Sequence, residues 1–225
     1  MNIQKLTLIK KTKVAQNTFE LIFRSNIKAT AIPWQFITFM LKQTKFARAY
    51  SIVWTHNNDY IFIIKRLENW RWWSKEICDL KINDTIKSIW PNWHFIINDI
   101  YNSKLFISTW VGLAPLFFMV NNTLKNWNKN KIKLLFWLRE EKDLFYYNKL
   151  ISLKNKYNNF EFEIYFSREN VNWFKKWYIT DYINSDNIKW FDEFYICWNP
   201  NVIESSKKKL KQLNIDSKNI FNEKY

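Results

Sequence analysis

A single glycine, Gly112, serves a chain of 225 residues. Ordinary glycine usage near 7% would supply roughly 16 in this length. Turns that need left-handed backbone must therefore be built from something else. Cysteine is almost as scarce. Cys78 and Cys197 are the whole supply, too few for a disulfide framework or a four-cysteine metal or iron–sulfur site. A reducing, cytoplasmic compartment is the expectation. Long apolar runs are missing too, since the longest, Trp110 to Val120, is too short to span a bilayer. Lys5, Lys10, Lys11 and Lys13 break up the N-terminus, so no signal-peptide core is expected there.

What the chain has in excess is tryptophan, with 14. Glycine and tryptophan together number 15, close to the glycine count expected. The tryptophans also stand where glycine belongs. Asn-Trp occurs at 69–70, 92–93, 126–127 and 172–173, and Asn-Gly is a strong turn dipeptide because both residues tolerate positive φ. Trp34 follows Pro33, and Trp93 closes Trp90-Pro91-Asn92-Trp93. The pattern is that of a chain whose UGA codons mean glycine but have been read as tryptophan. Abundant Lys, Asn, Ile, Phe and Tyr fit an AT-rich genome, in which UGA would be a natural codon. The rival reading is a tryptophan-rich surface for stacking on carbohydrate or nucleic acid, but such a protein would still need turn glycines of its own.

Apolar residues make up 48% and charged residues 24%, a globular composition that argues against disorder. Lys and Arg outnumber Asp and Glu 35 to 20, for a net charge of +15. That excess suits nucleic acid, an anionic membrane or an acidic protein. The lysines are scattered, however, with only Lys207 to Lys209 forming a run of three, and AT-rich coding also favours lysine.

The first hundred residues read as strands. Ile3 to Val14, Thr18 to Arg24, Phe36 to Leu41, Ala49 to Val53, Tyr60 to Leu67 and Thr85 to Ile89 are rich in β-branched and aromatic residues. A short helical pattern covers Ser74 to Leu80, with Ser74 as N-cap. Many short strands and one helix predict a small antiparallel β-barrel. The remainder alternates: strand 104–108, helix 113–124, strand 131–136, helix 144–157, strand 160–166, strand 194–197 and helix 202–213. That rhythm predicts an α/β doubly wound parallel sheet. The expected domains are 1–100 and 101–225, with the boundary near Asp99 to Ser103.

Three stretches carry candidate chemistry. Ser108-Thr109-Trp110-Val111-Gly112-Leu113-Ala114-Pro115 runs from a strand into a helix. With glycine at 110 it becomes T-G-V-G-L-A-P, a turn whose N–H groups can approach a pyrophosphate at the helix N-terminus. Earlier, Arg48-Ala49-Tyr50-Ser51 opens a strand, and Trp70-Arg71-Trp72-Trp73-Ser74 reads as G-R-G-G-S before the short helix. An arginine with a glycine-rich helix start suits a second diphosphate, and Tyr50 offers a face for a flat heterocycle.

R-A-Y-S, the G-G-S helix start, G-P-x-G-x-F at Trp90 to Phe95, T-G-V-G-L-A-P and C-G-N-P at Cys197 to Pro200 stand here in the order found in the ferredoxin/flavodoxin–NADP reductase family. With glycine at the tryptophan positions, the chain resembles that family from Pro33-Trp34-Gln35-Phe36 to the C-terminus. The resemblance implies an FAD-binding barrel followed by an NAD(P)-binding domain. It implies that Arg48 contacts the FAD diphosphate, Tyr50 packs on the flavin ring and Ser51 lies near its reactive nitrogen. Trp72, Trp73 and Ser74 would cradle the FAD pyrophosphate. Thr109, Trp110, Gly112 and Pro115 would line the nicotinamide nucleotide, with Cys197 beside the nicotinamide and Tyr225 shielding the flavin. Ser167-Arg168-Glu169 resembles the stretch that family members use on the 2′-phosphate of NADP, with Arg139 and Lys176 as further cations.

The implied activity is hydride transfer between NADP(H) and FAD, with single electrons passing to or from an acidic ferredoxin or flavodoxin. Such transfer needs alignment and a dry site more than an acid–base pair. His56 and His94 have no paired ligand spacing and are read as non-catalytic, and no metal site is expected. Two alternatives stand beside this reading: the reductase component of an oxygenase or other multi-protein redox system, and a basic, aromatic-rich module binding single-stranded nucleic acid. With the leading reading, neither nucleic acid nor membrane insertion is expected.

Overall fold

The computed structural model describes residues 3–28, 31–32, 35–68, 72–92, 97–126, 129–176 and 178–223. The chain divides into two compact units, 1–96 and 97–225, each built on its own sheet. Among the described residues, no helix is long and apolar enough to cross a membrane.

The first unit holds β1 (Ile3–Ala15), β2 (Thr18–Ser25), β3 (Phe36–Met40), β4 (Ala47–Ser51), β5 (Trp54–His56), β6 (Asp59–Lys65), α1 (Trp72–Asp79) and β7 (Thr85–Asn92). Its seven strands are antiparallel in the order β4-β3-β7-β1-β2-β6-β5. Alternation drives the assembly: in β1, Leu6 and Leu8 are fully buried while Ile3 and Lys5 face solvent. The inward residues build an aromatic centre in which Phe39 lies 5.3 Å from Phe23 and 5.1 Å from Phe62. The sheet curls shut where β4 runs into β5. There the Ile52 amide bonds to Gln35 O and the Val53 amide to Ile61 O, both at 2.9 Å. That curl is the expected barrel. Cys78 is a core thiol on α1, pushed up to about 12 mainly by burial.

Two local expectations are corrected in this unit. Ser74 is not the N-cap, because α1 already begins at Trp72. Its buried hydroxyl instead accepts a hydrogen bond from the Leu67 amide at 3.1 Å. Arg48 to Ser51 do not open a strand but make up nearly all of β4, since residues 52–53 leave it for the closure.

The second unit contains β8 (Lys104–Thr109), α2 (Leu113–Lys125), β9 (Ile132–Leu138), α3 (Tyr147–Lys156), β10 (Phe160–Phe166), β11 (Lys175–Lys176), α4 (Ser185–Ile188), β12 (Glu193–Cys197), α5 (Pro200–Gln212) and β13 (Ile220–Glu223). All its strands are parallel, in the order β11-β10-β9-β8-β12-β13. A parallel sheet covered on both faces needs apolar strands, and every residue of β8 and β12 is buried. Helix α2 is buried from Leu113 to Val120. The expected helix over 144–157 starts later, at Tyr147, because Tyr146 takes a left-handed backbone with φ 61°. Strand succession runs outward from β8 through β9 and β10 to β11, then reverses to β12 on the other side of β8. The reversal creates a crevice at the C-terminal ends of β8 and β12, where open α/β sheets bind ligands.

Candidate functional site

In the second unit the crevice is formed by two strand-to-helix turns. Thr109 ends β8, and residues 110–112 make one 3₁₀ turn before α2. Cys197 ends β12, buried, and Asn199 caps α5 by accepting from the Asn201 amide. The two turns touch: the Asn199 amide donates to Thr109 Oγ1 at 3.4 Å. A Cβ on Gly112 would lie 2.6 Å from Trp198 Cβ and 2.8 Å from the Cys197 carbonyl oxygen. Only glycine permits that approach. Thr109, Gly112, Cys197 and Trp198 are thus brought together, whereas Pro115 sits buried inside the first turn of α2.

The tryptophans of this crevice hold backbone conformations that suit glycine. Trp110 has φ 46° and Trp198 φ 96°, and Trp173, outside the crevice, has φ 74°. Among the described residues, four of the other six non-glycine residues with positive φ are asparagines, which tolerate it. A bulky side chain in such a conformation is a strained exception.

At the neighbouring strand ends, Arg139 follows β9 and Ser167-Arg168 follow β10. The Ser167 amide bonds to Leu138 O at 3.1 Å and the Arg168 amide to Arg139 O at 3.0 Å. Lys176 lies one strand further out, exposed and paired in register with Phe166. The Arg139 guanidinium lies 4.3 Å above the Trp110 ring. The carboxylate of Glu140 pairs with Arg168 at 3.9 Å and also contacts Lys142. The sequence did not reveal this partner, although Glu140 directly follows Arg139.

The first unit shows the same feature. Arg48 projects from β4, and its guanidinium lies 4.0 Å from the Trp73 ring and 4.8 Å from the ring of Phe46. Tyr50 meets Phe39 edge-on at 5.8 Å, and Ser51 is buried opposite Phe36. Phe46 was missed in the sequence, although an exposed aromatic two residues before an arginine is a readable signal for stacking. Trp72 opens α1. Pro33, Trp34, Trp70, Arg71, Trp93 and Tyr225 lie outside the described residues.

These arrangements fit a dinucleotide and a flavin nucleotide in part. The cations at the ends of β9 and β10 suit a phosphate by the chemistry of their donors. The two diphosphate turns do not fit as they stand. At each, an indole fills the turn and stacks on a nearby arginine by a cation–π contact, Trp73 on Arg48 and Trp110 on Arg139. A residue without a side chain at 73 and 110 would release both arginines.

Residues 106–208 match the family model described as the oxidoreductase NAD-binding domain. Cytochrome b5 reductase 4 of Bos taurus is 26% identical over 120 residues, a match covering 52% of this chain but only 23% of that protein's length. The Amycolatopsis cytochrome P450 reductase GcoB superposes with a TM-score of 0.88 at 17% identity, over 99% of this chain and 69% of that one. Ferredoxin-NADP+ reductase from Plasmodium falciparum, solved with 2′P-AMP, superposes at 0.80 with 22% identity, over 100% of this chain and 96% of that one. Residues 106–208 thus match an oxidoreductase NAD-binding domain, and the chain has the fold of the solved FAD/NAD reductases it superposes on, ferredoxin-NADP+ reductase among them.

Proposed function

We propose that this chain is an FAD-dependent reductase that exchanges hydride with NADP(H) and single electrons with a ferredoxin or flavodoxin, and that its working form has glycine at positions 72, 73, 110 and 198. The observation that carries the reading is the crevice where Thr109, Gly112 and Cys197 meet at the strand-order reversal, inside the stretch that matches the oxidoreductase domain. The bound nucleotides would supply the redox chemistry. The protein's part is to hold and align them.

In this reading Arg48 and Ser74 hold the FAD diphosphate, Tyr50 packs on the flavin and Ser51 borders its reactive edge. Thr109 and Gly112 admit the second nucleotide's pyrophosphate, with Pro115 shaping the helix start. The buried Cys197 borders the nicotinamide, and Tyr225 covers the flavin. Arg139, Ser167, Arg168 and Lys176 receive the adenosine 2′-phosphate, a role supported by the likeness to a reductase solved with 2′P-AMP. A second reading, the reductase component of an oxygenase or other redox assembly, draws support from the likeness to a cytochrome P450 reductase.

The test is to purify the chain with tryptophan and with glycine at 72, 73, 110 and 198 and measure FAD per polypeptide by absorbance. The glycine form is expected to be yellow and the tryptophan form cofactor-free. Equal occupancy would refute the glycine assignment, and a colourless glycine form would refute the flavoprotein. The codons settle the same point: UGG at these positions ends the glycine argument.

A further inference from the structure

The loops after β9 and β10 form an unusual spot in a protein of net charge +15. Residues 139–143 and 168–169 contain three cations, Arg139, Lys142 and Arg168, and four carboxylates, Glu140, Glu141, Asp143 and Glu169. The loops are laced together. The Glu141 amide donates to Glu169 Oε2 at 2.8 Å, and the Arg168 amide donates to Arg139 O at 3.0 Å. Glu140 sits at the centre, one carboxylate oxygen on Lys142 and the other 3.9 Å from Arg168. Its carboxyl is held below the usual range, chiefly by the hydrogen bond from Lys142. Two of the three cations, Lys142 and Arg168, are therefore already paired with a carboxylate.

We propose that Glu140 sets the nucleotide preference of this site: its carboxylate occupies Arg168 and Lys142 and must release them before an adenosine 2′-phosphate can bind. The proposal rests on the NADP(H) reading above. A phosphate dianion brings more charge and three acceptor oxygens, but it must displace a tethered competitor and then tolerate that carboxylate nearby. A ribose 2′-hydroxyl has the opposite relation to Glu140, because it can donate to the carboxylate while leaving both ion pairs in place. Glu140 thus works against NADPH and for NADH, and narrows the gap between them. Neither of its contacts involves Trp110, so the gate operates with tryptophan or glycine there.

The test is calorimetric titration of the full-length chain with 2′-phospho-AMP and with AMP, for the parent, Glu140→Gln and Arg168→Ala. Glu140 is a loop residue, and glutamine preserves its shape. Removing one competing exposed ion pair is expected to tighten 2′-phospho-AMP by about fivefold, with AMP unchanged or weaker. Equal tightening of both probes would overturn the gate, since a general charge effect would explain it. No tightening by Glu140→Gln together with lost 2′-phospho-AMP binding in Arg168→Ala would overturn the gate while leaving Arg168 as the phosphate reader. If neither substitution changes 2′-phospho-AMP binding, the gate and the NADP(H) reading fall together.

Discussion

Trp173 offers the cleanest measure of whether the tryptophans stand on glycine backbone. It is fully exposed, so its indole contributes no burial to the fold. The Phe174 amide bonds to Val171 O at 3.1 Å, closing a four-residue turn. Positive φ occurs only at its third position, Trp173, at 74°. That is the pattern of a type II turn, whose third position calls for glycine. Relieving a left-handed Cβ recovers about 1–2 kcal/mol. The greater freedom of glycine in the unfolded chain offsets about 0.5–1 kcal/mol of that. Trp173→Gly is therefore expected to stabilise the protein by about 0.5–1 kcal/mol. Trp173→Ala keeps the Cβ and should leave stability near the parent's. Urea unfolding followed by circular dichroism reads the difference as a midpoint shift of about 0.3–0.5 M at a typical slope. An alanine variant as stabilised as the glycine variant, or a glycine variant less stable than the parent, would refute the backbone argument.

Two further outcomes follow from charge. Burial raises the Glu163 carboxyl, but hydrogen bonds from Lys133, Lys175 and Tyr165 outweigh it and hold the group at about 2, against an ordinary 4.5. Because the folded value is depressed, its stabilisation is present above about pH 4.5 and is lost as pH falls toward 2. The term is on the order of 3 kcal/mol. Glu163→Gln should weaken the protein at pH 7 and flatten the acid limb of its urea midpoints, and an unchanged limb would count against this role. Reduction of an acidic ferredoxin or flavodoxin should slow as ionic strength rises, with a small neutral dye much less affected. A salt-independent protein–protein rate would mean that the lysines do not steer that partner.

The legible parts of the fold are those whose signal is local and periodic. Strand β1 shows alternation and α2 an apolar run, and both lie where the sequence places them. Strands β5, β11 and β13 were not legible. Lys175-Lys176 carries no apolar pattern at all and becomes a strand only by pairing with Tyr165 and Phe166. The start of α3 failed for a related reason: Phe145 and Tyr146 continue an apolar pattern, but φ at Tyr146 breaks the helix. In the candidate site, the R-A-Y-S strand and the Thr109–Gly112 turn were readable as motifs. Their contacts were not, because Arg48 meets Trp73 and Arg139 meets Trp110 across long stretches of chain.

By itself the sequence determined the shortage of glycine, the excess of tryptophan, and the two successive patterns that make a curled antiparallel sheet and a parallel one. Those are properties of composition and short-range periodicity, which each segment carries alone. Only the tertiary structure decided which tryptophans hold left-handed backbone, how closely Gly112 approaches Trp198, and that Glu140 occupies the cations near the crevice. The sign of φ in a turn is imposed by the elements it must join. The partner of a charged side chain is imposed by which loops the sheet order makes neighbours, and neither is written in the residues nearby.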